Sequence, residues 1–332
     1  MILGCDFLGH SKIFYLTIGR NIMHTIDKRN NQKDYLGPAN KTRAIFLISI
    51  LGLFLEMLLI RWISTEIRIF AYLQNTVLVV CFMGLGVGCF TSRQPIVLRK
   101  MLIPLFILTL LFAIPITRRA MGYTSEMLNS LGDFVIWVDS IKTSLWQTIF
   151  CVVIGIGMAY ILMVMIVDVF VPIGRLLGRL MDDHPRTIWA YSVNVSGSLV
   201  GIWLFVLISA FYQPPVTWFA VMGVLTAFFL NINSKEKKVN IALIAGIIVL
   251  SWFAGKDFGS INVVWSPYQK LNLKEWKHGD KVVDDNYLIT VNNTGYQAML
   301  DLNESKIRSN PQQYPPEMRG LSQYPLLFRN MQ

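Results

Sequence analysis

The sequence predicts a polytopic membrane protein: an all-α helical bundle of about seven spans followed by a small, β-hairpin-rich soluble tail. Three observations carry this expectation. The 332 residues are 54% hydrophobic and only 15% charged, with a mean hydropathy of +0.48, where a soluble domain carries about 25% charged residues. Several windows reach the roughly 20 apolar residues that a hydrocarbon core of about 30 Å demands at 1.5 Å rise per residue. From about residue 261 the apolar runs stop, and short alternating segments punctuated by Asn, Pro and Gly take their place.

The expected spans lie near 44–63, 71–92, 101–117, 145–171, 188–211, 215–232 and 240–254. The third and last are short, which leaves six or eight spans open. Three regions follow: a basic N-terminal segment over 1–43, a transmembrane domain over 44–255 and a β tail over 256–332. MILGCDF at the start resembles a lipoprotein cleavage site at Cys5, but no hydrophobic region precedes it, so no cleaved signal is expected. Ile13, Leu16, Ile18, Ile22 and Ile26 among Lys and Arg read either as a basic helix on the membrane surface or as a poorly ordered leader.

The formal charge of +10 does not indicate nucleic acid, because Lys and Arg sit in short segments between apolar runs, as they do facing anionic lipid. Lys28, Arg29, Lys33, Lys41 and Arg43, then Arg93, Arg99 and Lys100, then Arg175, Arg179 and Arg186, then Lys235, Lys237 and Lys238 all fall on one side. By the positive-inside rule that side is cytoplasmic. The opposing connections are poorer in Lys and Arg, with Arg118 and Arg119 as the exception. An odd span count from a cytoplasmic N-terminus leaves the tail outside the cytoplasm. Between the third and fourth spans, Met127, Leu131, Phe134 or Val135, and Val138 fit one face of an amphipathic surface helix or a partial re-entry. Cys5, Cys81, Cys89 and Cys151 form no CxxC, and the histidines form no HExxH, so no metal site is expected.

Charges inside apolar spans are costly, at least about 2.5–3.5 kcal/mol at the bilayer centre on insertion scales, so they pair, neutralise or line a polar cavity. Glu56 lies inside the first span, Arg61 ends it, and Glu66 and Arg68 follow closely; Asp168 lies near the end of the fourth. Glu56 reads as a partner for Arg61 or Arg68, or as the wall of a polar site. Its i+4 position is Ile60 rather than Arg61, so pairing across helices fits at least as well as pairing within one. Gly84 with Gly88, and Gly197 with Gly201, have the GxxxG spacing that lets two helix backbones approach in lipid. Asn194 is placed to hydrogen-bond across such a contact or to touch a substrate.

In the tail, VVWSPYQKLNL and NYLITVNN alternate as strands do, Asn292-Asn293-Thr294-Gly295 supplies a turn, and YQAMLDL follows as another strand. A proline-marked loop and a short helix are expected after it. So small a unit buries little apolar surface alone, because a domain of about 60 residues is already marginal. The tail therefore needs something to pack against.

An internal acid with a trailing arginine (Glu56, Arg61), a span ending GLGVG, a later span opening AYSVNVSGSLVG, and then SPYQKL together resemble bacterial membrane-embedded spermidine synthase-like proteins. The similarity extends from about residue 44 and is most specific in the tail. Ser266-Pro267-Tyr268-Gln269 looks like the Ser-x-Tyr-Gln strand of the family's small β domain, and Gly295-Tyr296-Gln297 looks like its second glutamine element. The resemblance implies that Tyr268, Gln269 and Gln297 face a cleft for decarboxylated S-adenosylmethionine or S-adenosylmethionine, with aminopropyl transfer as the reaction of a complete protein in a bacterial inner membrane.

The family's nucleoside-binding domain would add a glycine-rich turn after a strand, a ribose-binding acid and a catalytic Asp. No such turn follows a strand in 261–332, the Asp-Gly turn is replaced by Asn-Asn-Thr-Gly, and Ser322-Gln323-Tyr324-Pro325 lacks the family's acid. This chain is thus expected to supply one wall of a site, to bind no cofactor alone and to be inactive as a fragment. Its partners would be the bilayer, a catalytic domain or subunit outside this chain, and further copies of itself if it is oligomeric. Two other readings stand beside this one. One is a transporter or exporter of a small cationic or lipidic compound, with Glu56, Glu66 and Asp168 lining the path; the other is a noncatalytic membrane scaffold.

A reporter fused after Gln332 tests the topology. It is expected to be silent in the cytoplasm, and cytoplasmic activity would overturn the odd span count.

Overall fold

The structure of the chain is a computed structural model that describes residues 38–129, 145–230, 236–257, 259–278 and 281–299. The basic segment before residue 38, most of the expected amphipathic face over 125–141, and the proline-marked loop and helix beyond residue 300 lie outside the described residues. What is described is mostly helical, with one small antiparallel sheet.

The helices are α1 (Pro38–Glu66), α2 (Arg68–Tyr72), α3 (Gln74–Phe90), α4 (Arg99–Ala113), α5 (Pro115–Asn129), α6 (Leu145–Asp182), α7 (Thr187–Ala210), α8 (Pro215–Ala227) and α9 (Lys237–Ala254). Four of them, α1, α6, α7 and α9, are long and apolar enough to cross a membrane. A fifth crossing is reached if α4 and α5 count as one broken span. α3 and α8 are apolar but shorter. By length and apolarity the described residues therefore hold four or five candidate crossings, and the expected seven are not reached by this measure.

The third expected span, 101–117, is corrected. The helix ends at Ala113, and α5 leaves it at 94°. Pro115 is the cause: it disfavours helical geometry at the residue before it, and Ile114 is extended, with φ −89° and ψ 125°. The Thr117 hydroxyl donates to the Leu111 carbonyl at 2.6 Å, meeting a group the broken helix leaves free. The fourth expected span, 145–171, is also longer than expected. α6 continues to Asp182, so Asp168 sits well inside the helix, not near its end, and its side chain is exposed on the outer face.

Close helix contacts depend on missing side chains. A Cβ on Gly197 would stand 2.6 Å from the Phe46 carbonyl oxygen, and one on Gly201 would stand 2.6 Å from that of Ile50, so α7 lies directly against the backbone of α1. Beside this seam the Ser49 hydroxyl donates to Asn194 Oδ1 at 2.7 Å. α3 and α6 interlock in the same way. Gly84 leaves no room before Phe170 and the Val167 carbonyl, both 2.8 Å from a built Cβ, and Gly88 abuts Val171 and Gly174. Gly174 and Gly178 repeat the same spacing on the opposing helix. In lipid, where tails are as apolar as leucine, this packing replaces hydrophobic drive.

Polar contacts gather the connecting segments at one end of the bundle. Lys41 donates to the Asp183 carbonyl at 3.3 Å, and the Thr42 hydroxyl meets His184 Nε2 at 3.1 Å. Arg175 reaches Thr91 and Gln94, Arg179 reaches the carbonyls of Ser92 and Gln94, and Arg99 pairs with Glu236 at 3.3 Å.

The sheet sits at the other end. Its strands β1 (Ser260–Trp265), β2 (Lys270–His278), β3 (Lys281–Val291) and β4 (Thr294–Met299) form an antiparallel meander in sequence order. Asn292 and Asn293 make the two-residue β3–β4 turn with φ of 48° and 65°. Both angles are positive, as a tight hairpin turn matching strand twist requires, and asparagine tolerates them better than most residues. Alternation sends Lys270 and Asn272 inward, and both are buried, as is Thr290 opposite Asn272. The inner face is therefore polar on β2 and β3, while Trp265 and Val263 of β1, opposite Lys270 and Asn272, pack on the apolar core.

Between sheet and bundle runs a series of edge-to-face aromatic contacts: Phe54 with Phe205, Phe205 with Trp218, and Trp218 with Trp265. Trp62 packs edge-on against Phe112 and Phe219, each at 4.9 Å. Trp265 closes β1 onto the bundle, its indole N–H donating to the Gly255 carbonyl at 3.2 Å.

Gly201→Ala is expected to cost about 1–3 kcal/mol, because the opposing atom is backbone and cannot rotate away. Gly86→Ala, whose Cβ would meet nothing within 4 Å, should be neutral or slightly stabilising through helix propensity. Thermal unfolding of both variants in detergent checks the contrast.

Candidate functional site: the junction of sheet and bundle

The charged residues that the sequence places around the end of the first span converge on the sheet. Glu66 is the last residue of α1 and is buried. Arg118 on α5 grips it with both prongs, Nε to Oε2 at 2.7 Å and Nη2 to Oε1 at 2.6 Å. Lys270 Nζ approaches Oε1 at 3.3 Å and Asn293 Nδ2 donates to Oε2 at 3.0 Å. Arg118 also donates to the carbonyls of Ala254 and Lys256, just where α9 ends. One carboxylate thus joins α1, α5, the end of α9, the start of β2 and the β3–β4 turn.

Lys270 is fully buried, an unusual place for an ammonium. Burial pushes its pKa below the usual lysine value; Glu66 opposes that shift, Arg118 adds to it and Asp257 opposes it more weakly. Its Nζ also donates to Asn293 Oδ1 at 3.0 Å and lies 5.4 Å from the centroid of the Trp265 ring. The turn asparagines complete the fit. Asn292 Oδ1 accepts from the Lys270 backbone N–H at 3.0 Å, so the hairpin turn and the start of β2 hold each other. Behind this layer, Asp257 accepts from Asn272 at 3.1 Å and pairs with Lys274 at 2.7 Å.

Arg61 and Arg68 also turn to the sheet. Arg61 Nη2 donates to the Ser266 carbonyl, and its guanidinium lies 4.7 Å from the centroid of the Trp218 ring. Arg68 Nη1 donates to the Thr294 hydroxyl at 3.0 Å. Glu56 meets neither of them. Its side chain is buried in the bundle, and Oε2 has no hydrogen-bond partner among the described residues. The carboxylate that pairs is Glu66, and it pairs across elements.

The Ser266-Pro267-Tyr268-Gln269 stretch is a tight connection pinned by its serine. Ser266 Oγ accepts from the Gln269 N–H at 3.0 Å and donates to the Gln269 carbonyl at 2.8 Å, while the Ser266 N–H bonds the same carbonyl at 2.9 Å. The Tyr268 and Gln269 side chains are left exposed. Gln297 is exposed on β4, where it pairs with Ile289, which pairs in turn with Leu273 on β2. That register separates Gln297 from Gln269 by roughly 10 Å across the strands and 13 Å along them. Tyr268 and Gln269 are thus neighbours in the β1–β2 connection, and Gln297 stands apart from them on β4.

Arg118, Lys270, Asn293 and Asp257 were not singled out from the sequence as members of this site. One signal was present. Arg118 breaks the positive-inside pattern, and a buried carboxylate that neutralises its charge accounts for the exception. Lys270 carries no comparable mark, because a lysine in an alternating strand reads as solvent-facing. Compared with known proteins, the chain matches no protein family, no curated protein and no solved structure.

Glu66→Gln is expected to leave the buried cations of Lys270 and Arg118 without their counter-charge, at a cost of about 3–5 kcal/mol. The sheet should then be released by limited proteolysis at protease levels that leave the wild type intact. Lys274→Ala removes a more exposed pair and should cost no more than about 1 kcal/mol.

Proposed function

We propose that the chain is the membrane and adaptor portion of a spermidine synthase-like protein. In this reading the docked sheet presents Tyr268, Gln269 and Gln297 as one wall of a cleft for an S-adenosylmethionine-type donor. The supporting observation is the division of labour within SPYQK: Ser266 fixes the connection, Lys270 is locked on Glu66, and Tyr268 and Gln269 between them remain exposed. Aminopropyl transfer is a displacement at carbon that needs a held sulfonium donor, a deprotonated amine and a proton acceptor. The described part of the sheet offers contacts to a donor and leaves the reacting groups to a nucleoside-binding domain or subunit.

The same reading places α1, α3, α4, α6, α7, α8 and α9 as seven crossings of a bacterial inner membrane, the N-terminus cytoplasmic. Their alternation, and the gathering of Lys41, Arg99, Arg175, Arg179 and Arg186 opposite the sheet, support it. A cytosolic nucleoside donor then requires access from the sheet side, which makes the position of the tail decisive.

Purified chain given decarboxylated S-adenosylmethionine and putrescine is expected to show no turnover; turnover above background would overturn the one-wall assignment. With an aminopropyltransferase-type nucleoside-binding domain fused after Gln332, activity should appear and fall at least about tenfold (~1.4 kcal/mol) in Gln269→Ala. Activity indifferent to Tyr268 and Gln269 would remove the support for the reading.

One observation favours a transporter instead: the buried Glu56 carboxylate with its unpartnered oxygen. Substrate movement that survives removal of residues 261–332 and is lost in Glu56→Gln would establish that alternative.

A further inference from the structure

We propose that the sheet end of the bundle holds an oxyanion-binding site centred on Arg61, taking a carboxylate or phosphate group from a lipid headgroup or a small solute. Arg61 offers three guanidinium nitrogens, and among the described residues Nη2 is met by the Ser266 carbonyl. Nε and Nη1 are shielded from solvent, and no acceptor among the described residues meets either of them. The indole N–H of Trp218, the ring over which the guanidinium lies, is buried and likewise without an acceptor among the described residues. Three donor atoms on two packed side chains are thus left open. Buried donors are nearly always paired in native proteins, and a guanidinium does not escape the cost by losing its proton.

The local charge decides what kind of acceptor fits. Among the described residues, Arg61, Arg68, Arg118, Lys270 and Lys274 place five cations around this junction against two carboxylates, Glu66 and Asp257. Glu66 is consumed by Arg118, Lys270 and Asn293, and Asp257 by Lys274 and Asn272. Glu56 lies five residues earlier on α1, roughly 7.5 Å down the helix axis and turned away from Arg61. The surplus is positive, so an anionic acceptor is favoured over a neutral one. The ring contact suits this role: the Trp218 ring meets the guanidinium through its charge and leaves the in-plane N–H groups, to which oxyanions bind, to other partners.

Arg61 also sits in the last turns of a membrane-spanning helix beside Trp62 and Trp218, both buried. This is the depth at which lipid phosphates meet arginine, although a soluble anion could enter from the sheet side by the same chemistry.

The test uses the full chain purified in phosphate-free detergent, with sodium chloride at matched ionic strength as the reference. Inorganic phosphate and acetate form one arm; nanodiscs of phosphatidylcholine with and without phosphatidic acid form the other. The expected result is a saturable rise in thermal midpoint in at least one arm, with affinity reduced roughly tenfold to a hundredfold in Arg61→Gln. Trp218→Phe keeps a six-membered aromatic ring and deletes the pyrrole part with its N–H; where circular dichroism shows it folded, it should bind several-fold more weakly. A response confined to phosphatidic acid assigns the site to lipid, and a response to free phosphate or acetate assigns it to a solute. The proposal is overturned if neither arm gives a saturable response in the wild type. It is equally overturned if folded Arg61→Gln and Trp218→Phe both respond as the wild type does. Neither readout involves group transfer, so the outcome is independent of the transferase assay.

Discussion

The carboxylate of Glu66 is the interaction on which the sheet end of the molecule depends. It is buried at the end of α1 and receives four donor contacts from three side chains, two of them cationic. A carboxylate so placed is costly to desolvate, and so are the Arg118 guanidinium and the Lys270 ammonium that meet it. None of the three is tolerable there alone. Their mutual requirement ties the position of the sheet to that of the bundle: if β2 leaves, Glu66 loses Lys270, and if α5 shifts, it loses both prongs of Arg118. The hairpin turn is held by the same logic, since Asn293 bonds both Glu66 and Lys270 while Asn292 holds the start of β2. A small sheet whose inner face is largely polar on β2 and β3, too slight to build a core of its own, acquires a fixed place in this way.

The bundle is held by different physics. Where lipid supplies the solvent, burying leucine against leucine gains little over leaving it in the acyl chains. Contact is instead made by backbone meeting backbone: Gly197 and Gly201 against Phe46 and Ile50, and Gly84 and Gly88 against Val167, Val171 and Gly174. The aromatic series from Phe54 to Trp265 then links this packing to the sheet, so the two regimes meet at Trp218. There Arg61 lies over the ring, and Phe205 and Trp265 each make a T-shaped contact with it. The junction is thus both the mechanical joint of the molecule and the place where Arg61 and Trp218 hold donors with no acceptor among the described residues.

Much of this organisation was legible in the chain. Apolar runs, basic connections, GxxxG spacings and the Asn-Asn turn each have a local cause, and each can be read from a few neighbouring residues. The Pro115 break was legible in principle, yet the apolar run continues through it and hid the bend. The pairing scheme was harder. Glu56 and Arg61 are near in sequence, and nearness invited a partnership that helix geometry does not make. Lys270 and Arg118 reach Glu66 from 204 and 52 residues away, and no local pattern records such a meeting.

By itself the sequence determined the membrane class, the apolar helices with basic segments between them, the glycine seams and the β character of the tail. All of these follow from local hydropathy, charge and backbone preference. Only the tertiary structure decided which acid is paired, which face of the sheet is hidden, and that Tyr268 and Gln269 stay exposed while Lys270 beside them is buried. The reason is physical: the cost of burying a charge depends on what stands within a few ångströms of it, and those neighbours are brought together by the fold rather than by the chain.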